Sequence, residues 1–178
     1  MTVKEFIIMN DIIANVEDIQ QALGGLKKPS VLGGVRVPDS LDDITMGQLM
    51  QLQGITNAAE CVYVPCAVIL DLNEKQVNEC RLESVLAFCR WTADEVTKIN
   101  ELFGSASVEP TAEETKAGVE RMSFGVFGLL DYYATRMGIT DHTQVESVPW
   151  VRVLKVMQMD AEKIKFERRL QTIYAMKK

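Results

Sequence analysis

The sequence predicts a mainly α-helical protein: a compact helical domain with a minor N-terminal β element and a long C-terminal helix. Apolar residues recur at helical spacing over most of residues 45–176. Hydrophobic residues make up 47% of the 178-residue chain, which is too apolar for an intrinsically disordered protein. Three pairs of residues match the capping box that begins many helices: Thr45 with Gln48, Thr111 with Glu114, and Thr143 with Glu146.

Residues 1–44 are predicted to form an N-terminal β and loop segment with a short helix. The stretch Thr2–Met9 is short, apolar and β-branched, which favours a strand. Asn10 would then cap a helix over residues 11–23. A continuous helix from Val3 is the alternative.

Four glycines and two prolines lie within residues 24–40, around the alternating sequence Val35-Arg36-Val37. Glycine and proline interrupt helices, whereas alternation of apolar and polar residues is typical of strands. This stretch is therefore predicted to be loop, short strand and loop.

Residues 45–104 are predicted to form a first helical subdomain. Cys61–Leu72 is rich in β-branched residues, but Pro65 lacks the backbone N–H that a central strand needs. An edge strand and a helix starting near Pro65 both fit this segment. Asn73 is predicted to cap the next helix, which runs on past Cys80 to Phe103 and ends at Gly104.

Residues 105–110 are polar and end in proline, which predicts a linker to a second helical subdomain over residues 111–178. The helix that opens at Thr111 either bends or breaks in two at residues 123–128. Two glycines stand beside phenylalanines there, and we expect them to allow a close crossing of helices.

The last helix is predicted to run from Trp150, just after Pro149, to about Met176. At about 1.5 Å per residue it is roughly 40 Å long, more than a domain of this size needs to cover its core. We expect Trp150 to anchor the helix and its second half to contact something beyond the core. Its apolar residues form two sets that do not share a face: Trp150, Val153, Leu154, Met157, Ala161 and Ile164, and then Met159, Phe166, Leu170 and Ile173.

Charge is distributed unevenly along the chain. Residues 1–149 contain 11 Lys and Arg against 22 Asp and Glu, whereas residues 150–178 contain 8 against 3. A basic helix on an acidic body can bind an acidic partner or a further copy of the chain. Nucleic acid is not a predicted partner, because a chain with net charge -6 repels phosphate over most of its surface. The predicted protein interface combines basic and apolar residues of the last helix: Lys163, Lys165, Phe166, Arg168, Arg169 and Leu170.

No membrane association is predicted. The longest uncharged apolar run, Cys61–Leu70, is about half of the roughly 20 residues that a transmembrane helix requires. Lys4 and Glu5 precede a short apolar run, Phe6–Met9, that lacks the cleavage pattern of a secretory signal. We therefore expect a cytoplasmic location.

Residues that could carry chemistry are few. The four cysteines contain no C-x-x-C pair of the kind that binds zinc, and we expect them to be small buried residues in a reducing cytosol: Cys61, Cys66, Cys80 and Cys89. The single histidine, His142, follows Asp141, which could orient it for proton transfer. A polar turn between helices also attracts these residue types for local hydrogen bonds. We predict no catalytic residue, metal or cofactor.

Three segments resemble small accessory proteins of tailed bacteriophages, particularly tail-assembly chaperones and baseplate or tail morphogenesis proteins. They are the polar turn and helix opening Val37–Leu49, the stretch Thr111–Gly138, and Val148-Pro149-Trp150 before a long helix with a basic end. The resemblance implies a mainly helical protein without a catalytic site, which holds or builds other particle proteins. It also implies partners that are phage structural proteins or further copies, and a location in the host cytoplasm or the virion.

The hypothesis that follows is a non-catalytic protein-interaction module in bacteriophage particle assembly, above all of the tail. It would act as a chaperone or as a structural subunit of the tail, neck or baseplate. Two alternatives stay open: a cytosolic adaptor or regulatory helical protein of non-viral origin, and an enzyme with a Cys or His centre. The sequence supports the enzyme least.

Overall fold

The computed structural model describes residues 2–3, 27–122 and 124–176. Of these described residues 69% are helical, and they include a small antiparallel sheet near the N-terminus and a long C-terminal helix. The predicted fold class is therefore confirmed. The helix predicted over residues 11–23 lies outside the described residues, as does the strand predicted over Thr2–Met9 except for Thr2 and Val3. Thr2 forms an isolated antiparallel bridge with Arg81.

In the described residues the strands are β1 (Val31–Leu32) and β2 (Val35–Arg36). A single 3-10 turn covers Val119–Arg121. The eight α-helices of this part of the chain are α1 (Met46–Gln53), α2 (Ala58–Leu70), α3 (Glu74–Glu79), α4 (Leu82–Ser105), α5 (Ala112–Ala117), α6 (Gly125–Met137), α7 (His142–Glu146) and α8 (Trp150–Ala175).

Strands β1 and β2 form a tight hairpin. The alternating sequence predicted β2 as a short strand, whereas β1 lies in a stretch that was predicted to be loop. Leu32 pairs with Val35 across a two-residue turn of Gly33 and Gly34, whose φ angles are 57° and 82°. Glycine adopts positive φ without steric cost, which is what a two-residue hairpin turn of this hand requires. A Cβ atom on Gly33 would also lie 2.9 Å from Cδ1 of Leu72.

Helix α2 resolves the segment that the sequence left open between strand and helix. The helix begins at Ala58, before Pro65, because the Asn57 side chain accepts a hydrogen bond from the backbone N–H of Glu60. Pro65 lies buried inside the helix. Proline cannot donate to the carbonyl four residues earlier. The predicted helix start near Pro65 and the predicted edge strand are therefore both wrong. Capping by Asn57 and burial of the helix outweigh the one hydrogen bond that Pro65 cannot donate.

Helix caps agree with the sequence at two positions and differ at a third. Asn73 and Thr111 each form a complete capping box, as predicted for the Thr111 pair and for the Asn73 cap. The single helix predicted from Asn73 to Gly104 is wrong: it is divided into α3 and α4, because the backbone of Cys80 is extended. Asp141, and not Thr143, caps α7: its side chain accepts from the Thr143 backbone N–H. Thr143 already lies in the first helical turn, so it cannot act as the cap of the same helix.

The stretch after Thr111 breaks into separate helices, which was one of the two predicted alternatives, but the break begins earlier than the predicted residues 123–128. Helix α5 ends at Gly118, which has a φ of 87°, and the 3-10 turn follows before α6 begins at Gly125. A left-handed glycine after the last turn is a common helix stop.

The chain divides into two compact units, called unit 1 (residues 1–44 and 48–98) and unit 2 (residues 45–47 and 99–178). The division falls inside α4, between Lys98 and Ile99. That residues 105–110 link two subdomains over 45–104 and 111–178 stays a prediction. No helix among the described residues is long and apolar enough to cross a membrane.

Each unit has apolar side chains in its interior. In unit 1 a single cluster joins the hairpin to α2, α3 and α4: Val3, Leu32, Val37, Cys66, Leu70, Leu72, Val77, Leu82, Val85 and Phe88. In unit 2 the buried side chains come mainly from α6, α7 and the first half of α8: Leu130, Tyr133, Ala134, Val145, Trp150, Val153, Leu154 and Ala161.

Candidate interaction surface on the C-terminal helix

Helix α8 is held in unit 2 through its first half. Trp150, the predicted anchor, is buried at the first position of the helix, and its ring centroid lies 6.0 Å from that of Phe103. Val153, Leu154 and Ala161 continue the same buried face, since residues three, four and seven apart line one side of a helix. This face orients the remainder of α8.

A polar contact joins α6 to the middle of α8. The Tyr132 hydroxyl donates to Oδ2 of Asp160 at 2.7 Å, and Nε of Arg136 donates to the same oxygen at 2.9 Å. These two hydrogen bonds lower the pKa of the Asp160 carboxyl, and the one from Tyr132 is the larger cause. The carboxyl therefore stays ionised. A carboxylate held by two donors from one helix fixes the side of α8 that faces α6.

We expect this contact to give Tyr132 an unusual titration. Burial, with the hydrogen bond to Asp160, raises the pKa of Tyr132 to about 12. The pKa of an unfolded tyrosine is ~10. The contribution of the protonated Tyr132 hydroxyl to the free energy of unfolding is therefore complete below that pH, and it is lost as the pH rises through the pKa of Tyr132 in the folded protein. The difference in tyrosinate absorbance between wild type and Tyr132→Phe should therefore rise near pH 12. A difference curve centred near pH ~10 would contradict the contact.

Arg168 is bound inside unit 2. Its Nη1 donates to the backbone oxygen of Glu109 at 2.7 Å, and its Nη2 donates to Oε2 of Glu114 at 3.0 Å. The Glu114 carboxylate also accepts from the backbone N–H of Thr111 in the capping box, the main cause of its lowered pKa, to which Arg168 adds. Arg168 therefore ties the distal half of α8 to the start of α5.

The other five predicted interface residues differ in exposure. Lys163, Lys165, Phe166 and Arg169 are exposed, and Leu170 is half-buried. Nζ of Lys165 donates to Oε1 of Glu162 one turn earlier, at 2.9 Å. This part of α8 thus presents both apolar and basic groups to solvent, from Phe166 and Leu170 and from Lys163 and Arg169.

Five apolar residues form a line on the face of α8 opposite the buried one. We call them the outer stripe: Met159, Phe166, Leu170, Ile173 and Tyr174. Met159, Phe166 and Ile173 recur every seven residues, close to two helical turns, and are 60%, 55% and 50% exposed. No described residue of α8 after Ala161 is buried. The prediction that the two apolar sets lie on different faces is confirmed.

An exposed aromatic pair at the start of α6 was missed by the sequence reasoning. Phe124 and Phe127 are 66% and 61% exposed. The expected close crossing of helices at the neighbouring glycines is wrong for Gly128: a Cβ there would lie 2.7 Å from Cβ of Phe124, four residues earlier. The glycine accommodates its own aromatic neighbour. The signal was present in the sequence as Phe-Gly-Val-Phe-Gly, but its exposure depends on the tertiary structure.

The residues considered for catalysis belong to different units, the four cysteines to unit 1 and His142 to unit 2. Cys66 is buried as expected, but Cys61 is exposed. A hydrogen bond to Cys66 and burial together raise the pKa of the Cys89 thiol, and burial raises that of Cys80, which disfavours the nucleophilic thiolate. Among the described residues no group of three His, Cys, Asp or Glu is arranged to hold a metal ion.

His142 faces a different carboxylate from the one the sequence suggested. Its Nε2 lies 3.5 Å from Oδ1 of Asp131, and its ring packs edge-on against Phe127 with centroids 5.0 Å apart. Asp141 instead caps α7. His142 therefore joins Phe127 and Asp131 in one local cluster of unit 2.

The most conspicuous surface of the described chain is thus the outer stripe, with Lys163 and Arg169 exposed beside it. Its position follows from the buried face that Trp150 begins and from the Arg168 contacts. Searches for similar proteins gave no family model, no curated protein and no solved structure that matches this chain.

Proposed function

We propose that the chain is a non-catalytic protein-interaction module in bacteriophage tail assembly, acting as a chaperone or as a structural subunit. The observation that carries the proposal is the outer stripe of α8. The assignment to tailed bacteriophages rests on the resemblance of residues 37–49, 111–138 and 148–150 to their accessory proteins. We also propose that the protein is located in the host cytoplasm or in the virion.

A partner would remove the outer stripe from water. Large apolar side chains grouped on one exposed face commonly mark sites of protein association. Aromatic anchors such as Phe166 and Tyr174 supply much of the affinity at such sites, whereas charges at the rim mainly set the rate of association. Phe166 between Lys163 and Arg169 has this make-up.

The stripe is also a prearranged surface. Trp150 and Ala161 are buried on the opposite face of the helix, and Arg168 binds Glu109 and Glu114. A surface whose backbone is already ordered loses less conformational entropy when a partner binds. The ordered backbone of α8 therefore supports the proposal that this helix binds the partner.

The test is association measured by size-exclusion chromatography with light scattering, for the protein alone and with the products of neighbouring phage genes. We expect a discrete complex that Phe166→Ser weakens at least about thirtyfold at all salt concentrations. Lys163→Glu with Arg169→Glu should weaken it at low salt, and less at high salt, because salt screens exposed charges. Arg168 is left unchanged because its contacts are internal.

The control reverses two exposed lysines elsewhere, Lys75→Glu with Lys116→Glu, so that the net charge changes equally. This control should associate nearly as wild type does at low salt. Its changed net charge has only a small long-range electrostatic effect, which a comparison at higher ionic strength removes. Melting temperatures should agree among all variants, because every altered side chain is exposed. Wild-type association of the Phe166 and Lys163/Arg169 variants, or no association with any tested protein or copy, would overturn the proposal.

A further inference from the structure

A second exposed apolar surface lies in unit 2, at the start of α6. We call it the aromatic patch: Phe124, Phe127 and Asp131. The two phenylalanines are three positions apart and Asp131 follows Phe127 by four, so the three side chains lie along one side of the helix. The Asp131 side chain is 63% exposed. Asp141, also exposed, adds a second carboxylate beside His142.

The aromatic patch is held in place by its neighbours. Cβ of Phe124 sits over Gly128, where any side chain would collide with it. Phe127 packs on the edge of the His142 ring, and Nε2 of His142 approaches Asp131. The exposed rings are therefore positioned, which lowers the entropy lost when a partner covers them.

The aromatic patch and the outer stripe are complementary in charge. The stripe presents Phe166 and Ile173 with the cations Lys163 and Arg169 at its margin. Of the two exposed carboxylates on this part of α8, Glu162 is paired with Lys165, and Glu167 stands next to Arg168 in the sequence. The patch presents two aromatic rings with carboxylates at its margin. The nearest cation in the sequence, Arg121, has its side chain beside Gly118. Opposite charges around matching apolar centres favour one orientation of docking.

The two surfaces do not satisfy each other within one copy, because Phe124, Phe127, Phe166 and Ile173 are all at least 50% exposed in the same chain. A stripe paired with the stripe of another copy would bring Lys163 and Arg169 of both copies to one seam, and like charges oppose such pairing. Binding of the stripe of one copy to the patch of another covers both exposed surfaces and brings opposite charges together.

We propose that the outer stripe of one copy binds the aromatic patch of a second copy, so that copies associate head to tail. The inference rests on the proposed function, since it names the partner of the stripe. A contact between two different surfaces leaves one stripe and one patch free at the ends of every assembly. It therefore adds further copies until a ring closes or a filament grows.

The test mixes two variants of the full chain. The stripe variant is Phe166→Ser with Ile173→Ser, and the patch variant is Phe124→Ser with Phe127→Ser. All four side chains are exposed, and far-UV circular dichroism and melting temperature verify that each variant folds. Val31→Ser with Val35→Ser, two exposed residues of the unit 1 hairpin, is the matched control.

We expect wild type and the control to form assemblies larger than dimers as concentration rises, by analytical ultracentrifugation. Each variant alone should lose self-association by at least about thirtyfold. Their equimolar mixture should form a discrete 1:1 dimer, because the patch variant keeps its stripe and the stripe variant keeps its patch. Only a head-to-tail contact predicts this recovery.

Three results would overturn the inference. A discrete dimer of the patch variant alone would mean that two stripes pair with each other. A mixture that stays monomeric would mean that the two surfaces do not meet. Wild type that remains monomeric up to about 1 mM would exclude a second copy as the partner. In that last case, a complex with a neighbouring gene product that Phe166→Ser weakens would leave the proposed function standing.

Discussion

Replacing Trp150 with alanine is expected to lower the free energy of unfolding by about 3–5 kcal/mol. The side chain is 3% exposed, begins α8 directly after Pro149, and packs with the ring of Phe103. Truncation would lose the transfer free energy of an indole and leave a cavity that Val153 and Leu154 cannot fill without moving the helix. Trp150 therefore contributes to stability by fixing the start of α8.

Denaturant unfolding followed by far-UV circular dichroism measures this loss. Trp150→Phe should lose much less, because a smaller ring keeps part of the contact with Phe103. Met159→Ala on the same helix, where the side chain is 60% exposed, should change stability by no more than about 0.5 kcal/mol. A Trp150→Ala variant as stable as Met159→Ala would show that the indole does not anchor the helix.

Replacing Phe88 with alanine is expected to have a loss of similar size in unit 1, about 3–5 kcal/mol. Phe88 is fully buried, and its ring centroid lies 5.8 Å from that of Trp91. It belongs to the cluster in which Val85 and Leu82 of the same helix meet Leu32 of the hairpin. Removing the ring would open a cavity where α4 meets the hairpin.

Trp91 fluorescence reports this change, in a Trp150→Phe background that leaves Trp91 as the only tryptophan of the chain. The midpoint of denaturant unfolding should fall strongly for Phe88→Ala and by less for Phe88→Leu, which keeps most of the volume. Equal midpoints for Phe88→Ala and its parent would contradict the packing around this ring.

Local signals in the sequence predicted the starts of α3, α5 and α8. Asn73 and Thr111 cap their helices through residues three positions away, and the bounds of α8 follow from Pro149 and helical periodicity. Such signals depend on neighbours in the chain, so the sequence suffices to read them. Thr143 shows their limit, because Asp141 caps the helix two residues earlier by accepting from the backbone N–H of Thr143, which places Thr143 inside the helix.

The candidate surface was only partly predictable. Phe166, Lys163 and Arg169 were correctly placed among exposed residues, because basic and apolar residues alternate there without a continuous buried face. Arg168 looked equivalent in the sequence, but it binds Glu114, which lies 54 positions away. The exposed ring of Phe124 also escaped prediction, since an aromatic residue beside glycine is as compatible with a core as with a surface.

The sequence by itself determined that the protein is mainly helical, where α3, α5 and α8 begin, and that α8 carries two apolar sets that do not share a face. Those properties depend on backbone preferences and on residues three or four apart. Only the tertiary structure decided which contacts bury the first set, such as that of Trp150 with Phe103, because these contacts join residues far apart in the chain. The same holds for Pro65, which a helix tolerates because the cap at Asn57 and burial in the core of unit 1 together outweigh one missing hydrogen bond.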